Sequence, residues 1–148
     1  MKNQTEIKNR SAYFEYFIDD KYVAGIVLLG TEVKSLREGK ANFNDSYCIF
    51  HKGELWLRSF YISEYSHGTV NNHDPIRERK LLLNRRELKK LESRIREKGY
   101  TIVPLRLFFT ENNLAKLEIG LGKGKKVHDK RDTIKQRDTE REMKRYIK

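Results

Sequence analysis

The sequence predicts a mainly β protein, a small closed antiparallel β-barrel with two or three helices packed outside it. Two pairs of β-rich runs flank turn residues, which is the pattern of antiparallel hairpins. One segment has both the apolar periodicity and the capping residues of a clear helix. Strands and helices do not alternate along the chain, which argues against a parallel α/β sheet. The 148 residues fit one compact domain plus a tail.

The first elements are predicted from aromatic and apolar runs that follow a polar N-terminus, residues 1–10, which we expect to be flexible. Residues 11–18 (SAYFEYFI) alternate in part and indicate a strand. Residues 22–29 (YVAGIVLL) are apolar and fit either a buried strand or a short buried helix. Residues 31–37 (TEVKSLR) have an extended-looking pattern, and a turn is expected at 38–40.

A hairpin and a loop are predicted in the middle of the chain. Residues 46–51 and 54–62 are rich in β-formers and flank Lys52-Gly53, a pair that suits a hairpin turn. Residues 66–75 then contain Gly, Asn, Asp and Pro, which favour turn geometries. We expect the end of this loop, residues 71–75 (NNHDP), to form an Asx-type turn stiffened by its proline.

The clearest helix begins after Asn84. Asn84 can cap it, and Glu87 stands three residues later, as a capping box requires. Gly99 is expected to end the helix. A second hairpin, residues 100–109 and 114–121, follows; apolar and polar residues alternate in its last strand, which predicts one buried and one exposed face.

The charge of the chain indicates a polyanionic partner. The protein has 32 Lys and Arg against 21 Asp and Glu, a net charge of +11. Residues 122–148 alone carry eleven basic and five acidic side chains, or +6. These residues have few large apolar side chains, so we expect a tail that is disordered when free. On a helical wheel most of the basic residues cluster on one side, so RNA can induce a helix with a basic face. The expected domain is residues 11–121, followed by this tail.

The residue pattern argues against catalysis and against a membrane. Cys48 is the only cysteine, the four histidines lack metal-binding spacing, and no Gly-rich phosphate loop opens a helix. We therefore predict no catalytic residue, no metal, no cofactor and no enzymatic activity. The N-terminus lacks a signal-peptide core, and no apolar run approaches the roughly 20 residues of a membrane span. The expectation is a soluble cytoplasmic protein, without a membrane partner.

Two groups of residues admit more than one interpretation. Arg77 and Arg79 alternate on an extended segment, so they contact phosphates or line a solvated edge. The many cations of the predicted helix, interleaved with glutamates, are interpreted as an ordinary solvated face. Exposed aromatic residues would instead fit a general binder of single-stranded nucleic acid, although their positions in predicted strands favour the core. These aromatic residues are Tyr13, Trp56, Tyr61 and Phe108. A basic structural protein of the ribosome is a third alternative.

Three runs, in this order and spacing, resemble the SmpB family across almost the whole chain. The runs are Gly30 to Asn42 (GTEVKSLREGKAN), Arg79 to Glu87 (RKLLLNRRE) and Gly124 to Arg131 (GKKVHDKR). The resemblance implies an antiparallel barrel with partial likeness to an OB-fold. It also implies a monomer that binds the tRNA-like domain of transfer-messenger RNA (tmRNA), stands in for the anticodon arm, and helps deliver alanyl-tmRNA to stalled ribosomes. The implied partners are tmRNA, the small ribosomal subunit with its rRNA and, through alanyl-tmRNA, elongation factor Tu.

The resemblance also implies site residues, which are carried over by motif. The RNA-binding candidates are Glu32, Lys34, Arg37, Arg79, Lys80, Lys116, Lys123, Lys125 and Lys126. The candidates for contact with the ribosomal decoding centre are His128, Asp129, Lys130 and Arg131. The tail residues expected in the empty mRNA channel are Lys135, Arg137, Arg141, Lys144, Arg145 and Lys148. The chain departs from the family at Val23, where members often carry an acidic residue linked to RNA binding.

Overall fold

The computed structural model describes residues 5–67, 72–97 and 99–146; in the last helix it describes the side chains of residues 127–132 and 134–137. Within these residues the chain forms nine strands and four helices. The strands are β1 (Glu6–Lys8), β2 (Tyr16–Ile26), β3 (Ala41–Asn42), β4 (Tyr47–His51), β5 (Glu54–Arg58), β6 (Tyr61–Ile62), β7 (Arg79–Leu82), β8 (Tyr100–Phe109) and β9 (Ala115–Gly124). The helices are α1 (Ala12–Glu15), α2 (Gly30–Arg37), α3 (Arg85–Ile95) and α4 (Val127–Tyr146).

Seven strands form one antiparallel sheet in the order β1-β8-β9-β2-β7-β5-β4, and β3 pairs with β6 separately. The predicted mainly β architecture with antiparallel pairing is confirmed. Closure of the barrel is not: in the described residues, no backbone ladder joins the edge strands β1 and β4. The three residues of β1 occupy the edge of β8 from Arg106 to Phe108. This leaves only the first half of β8 near β4, and that half is not paired with it.

The main core lies on one face of the sheet, and a smaller cluster of Ala12, Val103 and Leu105 is buried separately. The fully buried side chains include Leu55, Leu57, Leu107, Leu117 and Ile119, which come from three strands and point to the same interior. Leu91 of α3 is also fully buried and fixes that helix against the sheet. Each such side chain contributes about 1.5–3 kcal/mol relative to an exposed one. The alternation predicted for the last strand holds from Lys116 to Ile119, but Gly120, predicted on the exposed face, is buried as Leu121 is, because Ile18 and Leu105 cover it.

Both predicted hairpins and the predicted capped helix are confirmed. β4 and β5 pair around Lys52-Gly53, and β8 and β9 pair around residues 110–114. The side chain of Asn84 accepts a hydrogen bond of 2.8 Å from the backbone N–H of Glu87. The carboxylate of Glu87 reaches back to the Asn84 N–H at 3.4 Å, so the capping box is complete.

The N-terminal segments differ from the prediction in two places, and at a third the structure decides between two predicted alternatives. Residues 12–15 form the short helix α1 instead of a strand, because Ala12 is buried and the N–H groups of the turn bond to Asn9 and Ser11 carbonyls. Residues 6–8, expected to be flexible, form β1 on the edge of β8. The run 22–29 is a strand as far as Ile26.

Residues 31–37 were expected to be extended and instead belong to helix α2. Its buried face combines Leu36 with the polar residues Glu32 and Ser35, so the apolar periodicity of a helix is concealed in the sequence. Glu32 stands at the third helical position and accepts a hydrogen bond of 2.8 Å from the Leu29 N–H, which starts the helix.

The C-terminal segment also departs from the expected organisation. β9 continues to Gly124, three residues past the predicted domain end at Leu121, because it pairs with β2 as far as Tyr16. At Gly122 a Cβ atom would lie 2.9 Å from the carbonyl oxygen of Phe17, so the two strands need a glycine there. The tail, predicted to be disordered when free, forms α4, which begins against α1. In the described residues, three helices thus flank the sheet, within the two or three predicted, and the tail adds α4.

Candidate RNA-binding surface

A buried ion network lies where α2 meets the start of β7. Glu32 is fully buried, and its two carboxylate oxygens accept hydrogen bonds of 2.6 Å from Arg77 and from Arg79. Arg79 is also fully buried and donates to the carbonyl oxygens of Phe60 and Pro75. Arg77 donates to the carbonyl of Val27 at the end of β2. The network therefore ties α2, β2, β7 and the preceding loop together.

Glu32 remains ionised despite its position. Burial opposes the charged form, but the hydrogen bonds from Arg77 and from the Leu29 N–H, together with the charge of Arg79, outweigh it and lower the pKa of Glu32. Burial also lowers the pKa of Arg79, and Glu32 opposes that shift. Glu32 and Arg79 thus form a buried, charged ion pair that connects α2 to β7.

His73 extends this network into the loop before β7. One ring nitrogen lies 2.8 Å from the hydroxyl oxygen of Thr31 at the start of α2, and the other lies 2.9 Å from the Ile62 carbonyl. The predicted Asx-type turn is present, since Asp74 accepts a hydrogen bond from the Ile76 N–H at 3.0 Å. Asn71, part of the same prediction, lies outside the described residues.

The positions of Glu32, Arg77 and Arg79 change the interpretation of three sequence candidates. The side chains of Glu32 and Arg79 are 0% exposed, and that of Arg77 is 31% exposed. In this arrangement the side chains of Glu32 and Arg79 are not accessible to an RNA. Two arginines that alternate on an extended segment converge on one carboxylate, and do not form an open phosphate-binding edge.

Lys80 and Lys116 stand on the outer face of the sheet. In register, Lys116 of β9 lies beside Gly25 of β2, and Leu82 of β7 lies on the other side of Gly25. Leu82 is half exposed. Lys80 is two residues before Leu82 on the same face and pairs with Glu54 at 3.2 Å. We call this surface the sheet face; it combines lysines with an open apolar centre.

Val23, where the chain departs from the family pattern, also lies on this face. It is half exposed and directly opposite Glu118 of β9. Glu118 pairs with Arg106 of β8 at 3.4 Å. A carboxylate is therefore present beside this position, on the neighbouring strand.

The two candidates of α2 are exposed near the same end of the sheet. The ammonium of Lys34 lies 5.3 Å from the ring centre of Tyr65, and the guanidinium of Arg37 lies 5.9 Å from that of Phe109. Phe109 ends β8, opposite Ala115 at the start of β9. Arg37 and Lys116 thus approach one end of the β8–β9 hairpin.

The remaining lysine candidates lie at the other end of β9, seven residues or roughly 23 Å along the strand from Lys116. Lys123 lies over the ring of Tyr100 at 4.6 Å, and Lys125 lies over Phe17 at 4.9 Å. Lys126 is exposed. We call Lys123, Lys125 and Lys126 the junction lysines, because α4 begins directly after them. The structure therefore divides the RNA-binding candidates into a buried pair and two groups whose members are exposed or partly exposed.

The decoding-centre candidates form the first turn of α4. The carboxylate of Asp129 accepts a hydrogen bond of 3.1 Å from the Lys126 N–H, which satisfies a free N–H before the helix. His128 is exposed and lies 3.2 Å from the other oxygen of Asp129. Lys130 is half-buried over Phe14 of α1, and Arg131 is exposed. This turn thus presents an imidazole and a guanidinium to solvent.

The tail candidates continue along α4, which is about 30 Å long. Lys135 and Arg137 are exposed, and Arg137 lies 5.7 Å from the ring centre of Phe14. Arg141, Lys144 and Arg145 belong to the helix, but their side chains are outside the described part. Lys148 lies outside the described residues.

The aromatic residues that could support a general single-strand binder are not in the core. Tyr13 and Tyr61 are 44% and 40% exposed, and Trp56 and Phe108 are half-buried. The expectation that they form the core is wrong, because their neighbours Ala12, Leu55, Ile62 and Leu107 take the inward positions. Arg106 lies 4.2 Å from the ring centre of Phe108 and covers it.

Sequence reasoning did not find the aromatic rings beneath the junction lysines. Tyr100 is directly opposite Lys123 in the β8–β9 ladder, and Phe17 is opposite Lys123 in the β2–β9 ladder. The register of the two ladders, once aligned, would have shown these pairs. Sequence reasoning also did not identify the cations of α3, which lie beside an open groove, as a candidate site.

No group of three or more His, Cys, Asp or Glu in the described residues could hold a metal ion. No described helix has the length and apolar character needed to cross a membrane. Cys48 is buried, and burial raises the pKa of its thiol.

Comparison with known proteins agrees with the resemblance seen in the sequence. The SmpB protein family matches residues 6–148. The "SsrA-binding protein" of Parabacteroides distasonis is 52% identical over 148 residues, which cover 100% of this chain and 97% of that protein. The protein of the same name from Christiangramia forsetii is 54% identical over 148 residues, or 100% and 94% of the two chains.

A solved structure agrees as well. A chain from "tmRNA-SmpB: a journey to the center of the bacterial ribosome" superposes with a TM-score of 0.71 and 44% identity, covering 88% of this chain and 94% of that one. With the family matched over nearly its whole length and with relatives of this identity, the chain belongs to the SmpB protein family.

Proposed function

We propose that the chain binds the tRNA-like domain of tmRNA and is required for trans-translation, the rescue of stalled ribosomes. One observation carries this proposal: the chain is 52% identical, over its whole length, to a protein named for binding SsrA, the tmRNA. The likeness to a chain solved in a tmRNA–SmpB study supports the same role. The role is one of binding, and no chemical step is assigned to any residue.

The sheet face, the exposed cations of α2 and the junction lysines are the surface we assign to the RNA. Together they supply Lys34, Arg37, Lys80, Lys116 and the three junction lysines on a rigid scaffold. A folded RNA is recognised by its shape, its phosphates and its 2′-hydroxyls, which suits separated cations on a fixed framework. Glu32 and Arg79 support this surface from within, since they hold α2 against β7.

We assign the ribosome-facing role to the start of α4 and to the tail. The exposed His128 ring can stack on an rRNA base, and Arg131 can contact phosphate. The protein then stands in for the anticodon arm, while α4 lies in the mRNA channel when mRNA is absent. Elongation factor Tu takes part only through alanyl-tmRNA, and the site of action is the cytoplasm.

RNA selectivity is the first test. A gel-shift titration would use the tRNA-like domain of tmRNA at one fixed, moderate salt concentration, with unrelated tRNA and single-stranded RNA in excess as competitors. We expect binding that survives both competitors. Equal displacement by every competitor would leave only a general nucleic-acid binder that uses exposed rings such as Tyr13 and Tyr61, and the proposal would fail.

The tail is tested separately by ending the chain after Lys126. This truncation removes α4 and keeps β9 with the junction lysines, so the fold and the proposed RNA surface remain. We expect the truncated protein to bind the tRNA-like domain and to fail in a reconstituted tagging assay on ribosomes stalled without a codon. Full tagging by this truncation would contradict the role of the tail without affecting RNA binding.

A further inference from the structure

The exposed face of α3 has a cluster of cations that no described acid neutralises. Arg85, Arg86, Lys89 and Lys90 are all exposed, and none of them forms an ion pair with a described residue. On a helix, residues four apart have Cβ atoms about 5–6 Å apart, and like charges at that spacing repel. An anion bound at this cluster would therefore relieve the repulsion.

The acids of α3 are occupied elsewhere. Glu87 closes the capping box with Asn84. Glu92 pairs with Arg96 at 3.5 Å, and Glu97 pairs with Arg94 at 3.4 Å. The solvated face with local pairs that the sequence predicts is found at the C-terminal end of the helix, where Arg94 and Arg96 pair with these glutamates. The first two turns differ, because their four positive charges have no ion pair with a described residue.

An open groove lies beside this cluster. Its volume is about 510 Å³, and it is lined by Gly53 of the β4–β5 turn and by Leu83, Arg85, Leu88, Lys89 and Glu92. Leu83 and Leu88 provide an apolar wall, and Arg85 and Lys89 provide cations at its rim. A nucleotide has this combination of properties, since its base is a flat, largely apolar ring and its phosphate is an anion.

The groove and the cluster are continuous with the sheet face. Leu82 lies on that face beside Gly25, and Arg85 follows only three residues later at the start of α3. One RNA that covers Lys116, Gly25 and Leu82 therefore meets the N-terminal turns of α3 next. This continuity favours an extension of the same RNA interface over a separate acidic protein partner.

We propose that α3 and the β4–β5 turn form a second contact with the tRNA-like domain of tmRNA. The sugar-phosphate backbone lies on Arg85, Arg86, Lys89 and Lys90, and an unstacked base lies against Leu83 and Leu88. This inference rests on the proposed function, and it assigns to that function a contact beyond the sheet face and the junction lysines.

The test compares two double variants of the full chain. Lys89→Ala/Lys90→Ala removes two unpaired cations, while the matched control Lys40→Ala/Arg96→Ala removes two exposed cations that already pair with Glu38 and Glu92. Both changes lower the net charge by two, and alanine keeps α3 helical. The Kd for the tRNA-like domain is measured from 0.05 to 0.2 M salt.

We expect the Lys89→Ala/Lys90→Ala variant to have a shallower salt dependence of binding. Two lost phosphate contacts reduce the slope of log Kd against log salt by about 1.4–1.8, so affinity changes roughly 10-fold less than in wild type over this range. The control should keep the wild-type slope. Equal salt slopes in the two double variants would overturn the inference but leave selective RNA binding intact. A wild-type chain without selective binding would overturn the proposed function as well.

Cross-linking locates the contact directly. Ser93 is exposed, one turn after Lys89, and Ser93→Cys keeps all four cations. The native Cys48 is buried, so a thiol-linked photo-cross-linker reacts at the new cysteine. We expect cross-links to the tRNA-like domain from Ser93→Cys and none from the control Asn44→Cys, at an exposed residue between β3 and β4 that is outside the surfaces assigned to the RNA. Cross-links from Ser93→Cys only to a protein, in complexes with the whole ribosome, would overturn the inference.

Discussion

Removal of the Glu32 carboxylate is the sharpest test of the buried network. In Glu32→Gln the side chain keeps its shape but loses its charge, so Arg79 stays fully buried without a counterion. Breaking a buried ion pair by removing one partner costs about 3–5 kcal/mol, because the remaining charge is left uncompensated. For a domain of this size each kcal/mol corresponds to roughly 2–4 °C in Tm.

Urea unfolding at neutral pH, followed by far-UV circular dichroism, measures the free energy of unfolding. The matched control is Glu38→Gln, which removes an exposed carboxylate that pairs with Lys40 at 3.1 Å and lies just after the same helix. We expect the control to lose about 1 kcal/mol or less. A loss below about 1 kcal/mol in Glu32→Gln as well would refute the argument that this pair holds α2 against β7.

Further expectations follow from the same structure. The pKa of folded Glu32 lies below its unfolded value of about 4.3. The stabilisation by Glu32 is therefore complete above that pH and is lost as the pH falls through the folded pKa. In a series of urea titrations, the difference in unfolding free energy between wild type and Glu32→Gln should shrink on acidification. Gly122→Ala should destabilise by about 1–3 kcal/mol, because its Cβ would press on the Phe17 carbonyl, whereas Gly124→Ala, with open space around it, should change stability by less than about 0.5 kcal/mol in thermal unfolding. Lys116→Ala should reduce the salt slope of RNA binding by about 0.7–0.9, and a slope equal to wild type would exclude a phosphate contact there.

The elements that sequence reasoning predicted correctly are those fixed by local chemistry. The β4–β5 turn, the Asn84–Glu87 capping box and the alternation in the first half of β9 depend on residues within a few positions of one another. Helix α2 was missed because its inward face includes Glu32 and Ser35, and the ionised side chain of Glu32 is buried only because of arginines more than forty residues later. A local sequence pattern cannot indicate a partner that lies so far away along the chain.

The same limit applied to the candidate site. Lys34 and Lys116 were identified from motifs that resemble the family; the structure leaves Lys34 exposed and Lys116 partly exposed. Arg79 was identified from the same kind of motif, but it is buried. Sequence could not separate the two cases, since burial depends on the loop before β7 and on the carbonyls of Phe60 and Pro75. The closed barrel was overestimated for a related reason: three residues at the N-terminus, outside the expected domain, take the edge of β8.

Strand β9 connects the proposed functions in one rigid element. Lys116, at the start of β9, lies on the sheet face, and Lys123, near its end, lies over Tyr100. Helix α4 begins three residues after Gly124. Close packing at Gly120 and Gly122 against β2 leaves little freedom between these points. An RNA that engages both ends of β9 therefore fixes the origin and initial direction of α4. The position of His128 and of the tail relative to the RNA is then set by the sheet and not by a flexible linker.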